Sequence, residues 1–351
     1  MNKNGAKGGV LYRTYRPQTF ADVRGQGQVT DVLQKAIKNK KTAHAYLFAG
    51  PRGTGKTTVA RILAKSLGVS DKDLYEIDAA SNTGVDNIRQ LREAVNVLPF
   101  ESPYRFYIID EAHMLSKSAW NAFLKTLEEP PAHVIFVMAT TERDKVPDTI
   151  QSRCEIYTFK QPTRETLSES VVDVAVREGF ELERAGSDLV ALLAEGSFRD
   201  ALSILQKVLS VASGKKVTLA DVEEVSGAPR GELVRRILSA LAEKNAAGAL
   251  AVVEEAVVEN VDARILAKLL MQRMRVVLLL RFAPDLAGTL AKDLADADLD
   301  LAKSLVKSAG LNSDALRALL EAHAQMAYAV LPHLPLELAI MDLCAPATMR
   351  V

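Results

Sequence analysis

Eight residues, Gly50 to Thr57 (GPRGTGKT), constrain this 351-residue chain more than any other stretch. They follow a short apolar run, Tyr46 to Ala49, and open a segment of helical period from Lys56 to Ser66. Glycine at positions 53 and 55 lets a backbone turn tightly and aim its N–H groups into one concavity. The helix start that follows adds partial positive charge. Lys56 and Thr57 then supply a cation for β- and γ-phosphates and a hydroxyl for Mg²⁺. Gly50, Pro51, Arg52, Gly53, Thr54, Gly55 and Thr58 complete the expected cradle. This loop works only between a strand and a helix, so the fold around it is expected to be α/β.

A second pair of residues fits that expectation. Tyr107 to Glu111 (YIIDE) is an apolar strand that delivers two carboxylates at its C-terminal end. Ligands of parallel sheets bind at that end. Asp110 is placed for Mg²⁺ and Glu111 for polarising an attacking water. Thr140 and Thr141 close the next apolar run, Val134 to Ala139, where a hydroxyl can orient water. Runs at Leu74–Ile77 and Arg105–Ile109 alternate with helical periods at Val85–Val97 and Trp120–Leu127, as in a parallel sheet with crossovers.

After Arg153 the texture becomes helical. Gln161–Pro162 and Gly227–Pro229 mark boundaries, giving an α/β domain (1–160), a small helical domain (161–227) and a larger all-α domain (228–351). Leu233, Ile237 and Leu238, then Ile265, Leu266, Leu269 and Leu270, and Leu316, Leu319 and Leu320 read as core stripes. Asp293 to Asp300 reads as a solvated helix start. Arg153, in Ser152-Arg153-Cys154, reads from position alone as a surface ion pair, or as an arginine reaching a neighbouring subunit. Arg199, in GSFRD, either pairs with Asp200 or Glu195 or reaches nucleotide bound by its own chain.

With 48% apolar and 25% charged residues the chain is globular rather than disordered. Cys154 and Cys344 are too few for a disulfide framework or a thiolate zinc site. No run of eighteen apolar residues suggests a membrane span, and the N-terminus lacks a signal peptide's apolar stretch, so a cytoplasmic protein with no membrane partner is expected. The net charge is zero, yet eleven basic residues face two acidic ones before residue 61. That local excess suits a polyanion, or a solvated face neutralised elsewhere in the fold.

Taken together, these motifs resemble the AAA+ ATPases, and most closely the bacterial DNA polymerase III clamp-loader subunits of the gamma/tau family. The resemblance runs through YRPQTFADVRGQ (Tyr15 to Gln26), HAYLFAGPRGTGKT, EIDAASNTGVDNIR, IDEAHMLS, NAFLKTLEEPP, ATTERDKVP, SRC, GSFRDALS and LPLELAIMDLC. It implies an ATP- and Mg²⁺-dependent AAA+ domain, a helical lid and an all-α collar. It also implies roles: Arg153 as an arginine finger in trans, Arg199 as sensor 2 in cis, Thr141 as sensor 1, and Tyr12, Arg13 and Val23 around adenine. That family usually carries a four-cysteine zinc module where Leu67 to Leu74 runs directly here, so no zinc is expected. Its long form also has a C-terminal tail beyond the collar, for which these residues hold no counterpart.

The resemblance further implies partners. They are further copies of the chain, delta-like and delta-prime-like loader subunits, a sliding clamp and primer-template DNA. Ser81, Asn82 and Thr83, with Arg89 and Arg92, are expected on DNA phosphates. Leu98 and Phe100 are expected to anchor the clamp, or else to fold back on their own domain. The alternatives fit less well. A non-hydrolysing scaffold subunit would not keep Lys56, Thr57, Asp110 and Glu111 intact. A replication-factor-C-like subunit is disfavoured by TLEEPP and ATT, and another AAA+ DNA-remodelling ATPase, a branch-migration helicase, by SRC and the collar-like C-terminus.

Overall fold

The computed structural model describes residues 9–81, 91, 93–212, 214–285 and 296–345, and no side chain for Asp296. The chain forms two compact units, Met1–Glu178 with Ala194–Gln206, and Gly179–Leu193 with Lys207–Val351. The span 161–227, expected as one lid, is therefore shared between them.

The first unit is built on five parallel strands: β1 (Ala45–Ala49), β2 (Leu74–Asp78), β3 (Arg105–Asp110), β4 (Val134–Thr140) and β5 (Glu155–Thr158). Their order is β2-β3-β4-β1-β5. Every residue of β1 and β4 is buried, as strands covered on both faces require. Side chains alternate between two cores. Tyr46, Phe48, Phe106 and Ile108 join Leu33 and Leu63 on one face. Leu47, Tyr107, Ile109 and Phe136 join Trp120 and Phe123 on the other. Each such buried side chain contributes about 1.5–3 kcal/mol, so register is strongly fixed.

The expected strands appear within a residue, Lys56–Ser66 is helical over its full span and Trp120–Leu127 lies within the helix Lys117–Glu128. The helix expected over Val85–Val97 lies largely outside the described residues. The unforeseen strand is β5, short and half-exposed at the sheet edge. Because all five strands run parallel, the ends of β1, β3 and β4 share one edge, with β4 between the other two. That topology brings residues 50–57, 110–111 and 140–141 together.

Among the described residues the regular structure of the second unit is helical apart from a two-residue pairing of Glu181–Leu182 with Lys216–Val217. Helices Gly231–Ala242, Ala246–Val258, Ala263–Phe282, Ser313–Gln325 and Leu334–Cys344 enclose one apolar core. Two sequence expectations fail there. Leu320 is half exposed, because the stripe of its helix is narrower than the spacing suggested. Asp298 is no solvated residue: it is buried, and accepts from Arg235 at 3.1 Å and Arg273 at 2.5 Å. Its helix, Asp296–Ser304, turns that carboxylate toward cations on two other helices, which offset its desolvation. No helix among the described residues is long and apolar enough to cross a membrane.

Candidate active site

At the end of β1 the loop is held as tightly from outside as by its own turns. Gly53 has φ +74°, and a Cβ there would lie 1.9 Å from Ser197 Oγ. Gly50, at φ +152°, would meet the Phe159 carbonyl oxygen at 2.4 Å. Neither position admits a side chain without displacing backbone. Phe198 N–H donates to the Gly53 carbonyl at 3.1 Å, and Ser197 Oγ caps the helix Phe198–Val211 through Asp200 N–H at 3.2 Å. The helix bearing Arg199 is thus fastened to the loop. Buried Gln26 adds a second tie, donating to the carbonyls of Lys160 at 2.7 Å and Thr54 at 3.4 Å.

Lys56 is buried and donates to the carbonyls of Gly50 (2.7 Å) and Pro51 (2.8 Å). Those two bonds leave one of its three protons for a ligand, and the residue lines the cavity. Burial pushes its pKa below the usual lysine value, the carboxylates of Glu111 and Asp110 raise it, and Arg199 lowers it again. Thr57 Oγ1 donates to Asp110 Oδ2 at 2.9 Å. Two hard oxygen donors side by side fit Mg²⁺, which takes one or two protein ligands and completes its shell with phosphate and water.

Glu111 sits in the left-handed region at φ 48° and ψ 44°, a conformation that costs a non-glycine residue about 1 kcal/mol or more. Its carboxylate Oε2 accepts from Thr141 Oγ1 at 3.2 Å. Of the two candidate threonines, then, Thr141 orients the carboxylate. Thr140 is buried and occupied elsewhere: its hydroxyl accepts from Glu142 N–H at 3.0 Å and meets His113 Nδ1 at 3.1 Å.

A cavity of about 590 Å³, within the range of small-molecule sites, gathers these groups. Arg52 to Thr58, Asp110 and Glu111 line it together with Tyr12, Val23 and Arg199. The Arg199 guanidinium carbon lies 5.7 Å from the Tyr12 ring centre. Arg13, 5.8 Å from the same ring, lines an adjoining cavity with Arg16 and Arg61.

Sequence reasoning missed Arg16, Asp173, Val174 and Arg177, which also line the main cavity. Arg16 is half-buried, and burial, then Arg61, pushes its pKa below the usual arginine value. The basic excess before residue 61 was its signal in the sequence. The other three lie on the helix Arg164–Arg177, whose period alone cannot say which face meets a ligand.

Four remaining expectations lie apart from the cavity. Arg153 donates to Glu128 Oε1 at 2.5 Å and to the Thr149 carbonyl at 2.6 Å. Ser81 is exposed, with its hydroxyl on Asp78 at 2.9 Å, whereas Asn82, Thr83, Arg89 and Arg92 lie outside the described residues. Leu98 and Phe100 are 72% and 76% exposed and do not fold back on their own domain. Cys154 is a packed thiol whose pKa burial raises to about 12. Among the described residues no group of three or more His, Cys, Asp or Glu side chains could hold a metal ion.

Comparison with known proteins gives this geometry relatives. A profile described as DNA polymerase III, delta subunit, matches residues 25–76 and 68–163. The chain is 37% identical to Bacillus subtilis DNA polymerase III subunit tau over 356 residues, covering 95% of this chain and 63% of that one. It is 36% identical to Escherichia coli DNA polymerase III subunit tau over 311 residues, covering 83% and 48%. The chain thus spans less than two thirds of the length of these relatives. Among solved structures, the Thermotoga maritima RuvB Holliday junction branch migration motor matches at a TM-score of 0.53 and 22% identity, over 65% of this chain and 79% of that one, a likeness of fold. With a P-loop domain followed by helical domains, the chain is similar over most of its own length to the gamma/tau subunits of DNA polymerase III.

Proposed function

We propose that the chain is the ATP-hydrolysing motor subunit of a bacterial sliding-clamp loader, acting in the cytoplasm. The observation that carries this reading is the convergence of Lys56, Thr57, Asp110, Glu111 and Arg199 on one cavity. ATP places its phosphates over the loop, against Lys56 and the backbone N–H groups of residues 53–57, with adenine toward Tyr12 and Val23. Thr57 and Asp110 would hold Mg²⁺, which when bound would supply neutralisation of phosphate charge. Glu111, oriented by Thr141, accepts hydrogen bonding from water and takes its proton as the water oxygen attacks γ-phosphorus. The bond from γ-phosphorus to the β–γ bridging oxygen breaks, leaving ADP and phosphate. Arg199 stabilises the transferring charge in cis.

The remaining roles rest on the resemblance to the gamma/tau subunits. Arg153 leaves Glu128 to serve a neighbouring subunit's site, so hydrolysis requires assembly with copies of this chain and delta-like and delta-prime-like subunits. Residues 161–227 act as the lid and 228–351 as the collar. Leu98 and Phe100 anchor the clamp, and Ser81 to Arg92 face primer-template DNA phosphates, giving sequence-independent, salt-sensitive contacts. The test is the hydrolysis rate of the assembled loader with clamp, with primed DNA, and with both. The reading expects the largest rate with both together. A rate indifferent to them would exclude clamp loading.

A further inference from the structure

The connection between the P-loop helix and β2 has one buried carboxylate whose partners all lie on a different loop. Asp73, fully buried, accepts from the backbone N–H groups of Phe100 (2.6 Å), Glu101 (3.0 Å) and Ser102 (2.9 Å). Ser70 N–H donates to Ser102 Oγ at 2.8 Å. Lys72 pairs with Glu101 at 2.9 Å, and its ammonium stands 4.7 Å from the Phe100 ring centre. Opposite these contacts, the Arg105 guanidinium donates to the carbonyls of Ala94 (2.6 Å) and Val97 (3.2 Å) and to Tyr75 Oη (2.6 Å). One anion therefore gathers amides after the turn, and one cation gathers carbonyls before it.

Between these two anchors, Val97, Leu98 and Phe100 stand in water at 58%, 72% and 76% exposure. Burying each would be favourable, so a loop free to move would tuck them in. Charge-assisted bonds to fixed backbone groups prevent that. Asp73 stays ionised through neutrality: burial works against its charge, but the three amides and Ser102 bring its pKa down to about 2.

We propose that Asp73, with Arg105 opposite it, is a positioning residue that presents Leu98 and Phe100 in advance to an apolar pocket on the sliding clamp. This rests on the clamp-loader reading above. A tip fixed before the encounter loses little conformational freedom on docking, so the mount acts on how often an encounter succeeds. When only a fraction of molecules holds the competent tip, apparent affinity falls by that fraction, and the loss sits in the association rate.

The experiment measures association and dissociation rates of the cognate clamp with the full chain, loaded with a non-hydrolysable ATP analogue. It compares wild type, Asp73→Asn, Asp73→Ala and the double variant Leu98→Ala, Phe100→Ala. Thermal unfolding is recorded for each, and Asp73→Asn, which keeps the side-chain volume, carries the test if the alanine variant does not fold. The expected result is an association rate about tenfold lower in Asp73→Asn, with dissociation within about twofold of wild type. If the double variant loses clamp affinity and a folded Asp73→Asn does not, the mount is wrong and the tip stands. A loss confined to the dissociation rate likewise overturns positioning. If the double variant binds the clamp as wild type does, the clamp-tip reading fails and the mount fails with it.

Discussion

The nucleotide cavity and the turn at 97–102 break the usual rule of burial in opposite senses. In the cavity, charged and polar side chains are drawn inward: Lys56 and Thr54 are buried, and Glu111 carries a strained backbone. At the turn, polar groups are satisfied internally by Asp73 and Arg105, and the large apolar side chains face water. What a fold leaves on offer indicates the chemistry that completes it. The first region suits a polyanion with a hard cation, the second an apolar pocket.

The comparison breaks most readily in the cavity. Glu111→Gln is expected to retain ATP binding and lose at least about a hundredfold in turnover, because it changes proton acceptance and leaves the phosphate cradle intact. Lys56→Ala should lose binding itself. Equilibrium nucleotide titration beside single-turnover hydrolysis separates the two. Near-normal turnover of Glu111→Gln at saturating ATP would falsify its role. Arg153→Ala should lower hydrolysis only in assembled loaders, by an amount approaching the thousandfold attributed to arginine fingers. Mixed assemblies decide the matter: the deficit belongs to the neighbour's site if the finger acts in trans.

Smaller effects sharpen the contrast. Gly53→Ala is expected to destabilise the first unit by about 1–3 kcal/mol, since both its φ and the Ser197 hydroxyl oppose a Cβ. Denaturant unfolding measures it, and an unchanged midpoint would mean the loop yields freely. Asp73 gives the acid-side counterpart. Its folded pKa of about 2 lies below the unfolded value of about 3.9, so the unfolded chain binds the proton first as pH falls. The stability it supplies is complete above about pH 4 and is lost between about pH 4 and pH 2. Asp73→Asn should flatten that part of the stability profile, and an identical slope in wild type and variant would deny the carboxylate its contacts.

Most of the cavity was legible in the sequence because its chemistry is local. GPRGTGKT and YIIDE each carry their own residues, and the parallel sheet brings them to one edge. The choice between Thr140 and Thr141 was not legible, since adjacent residues on an extended chain differ only in which face they meet. Nor was Asp73. Its partners lie 27 to 29 positions away, and the spacing of apolar residues carries no record of a carboxylate meeting distant amides. Asp298 was misread for the same reason, its two arginines lying on other helices.

The central claim is that ATP hydrolysis in the cavity answers to a clamp held at the apolar turn. Its most direct test is steady-state ATP hydrolysis by assembled loaders carrying wild-type chain or Leu98→Ala, Phe100→Ala, each with and without clamp and primed DNA. The account predicts that clamp and DNA together raise the wild-type rate several-fold and leave the double variant near its unstimulated rate. Equal stimulation of both would contradict it.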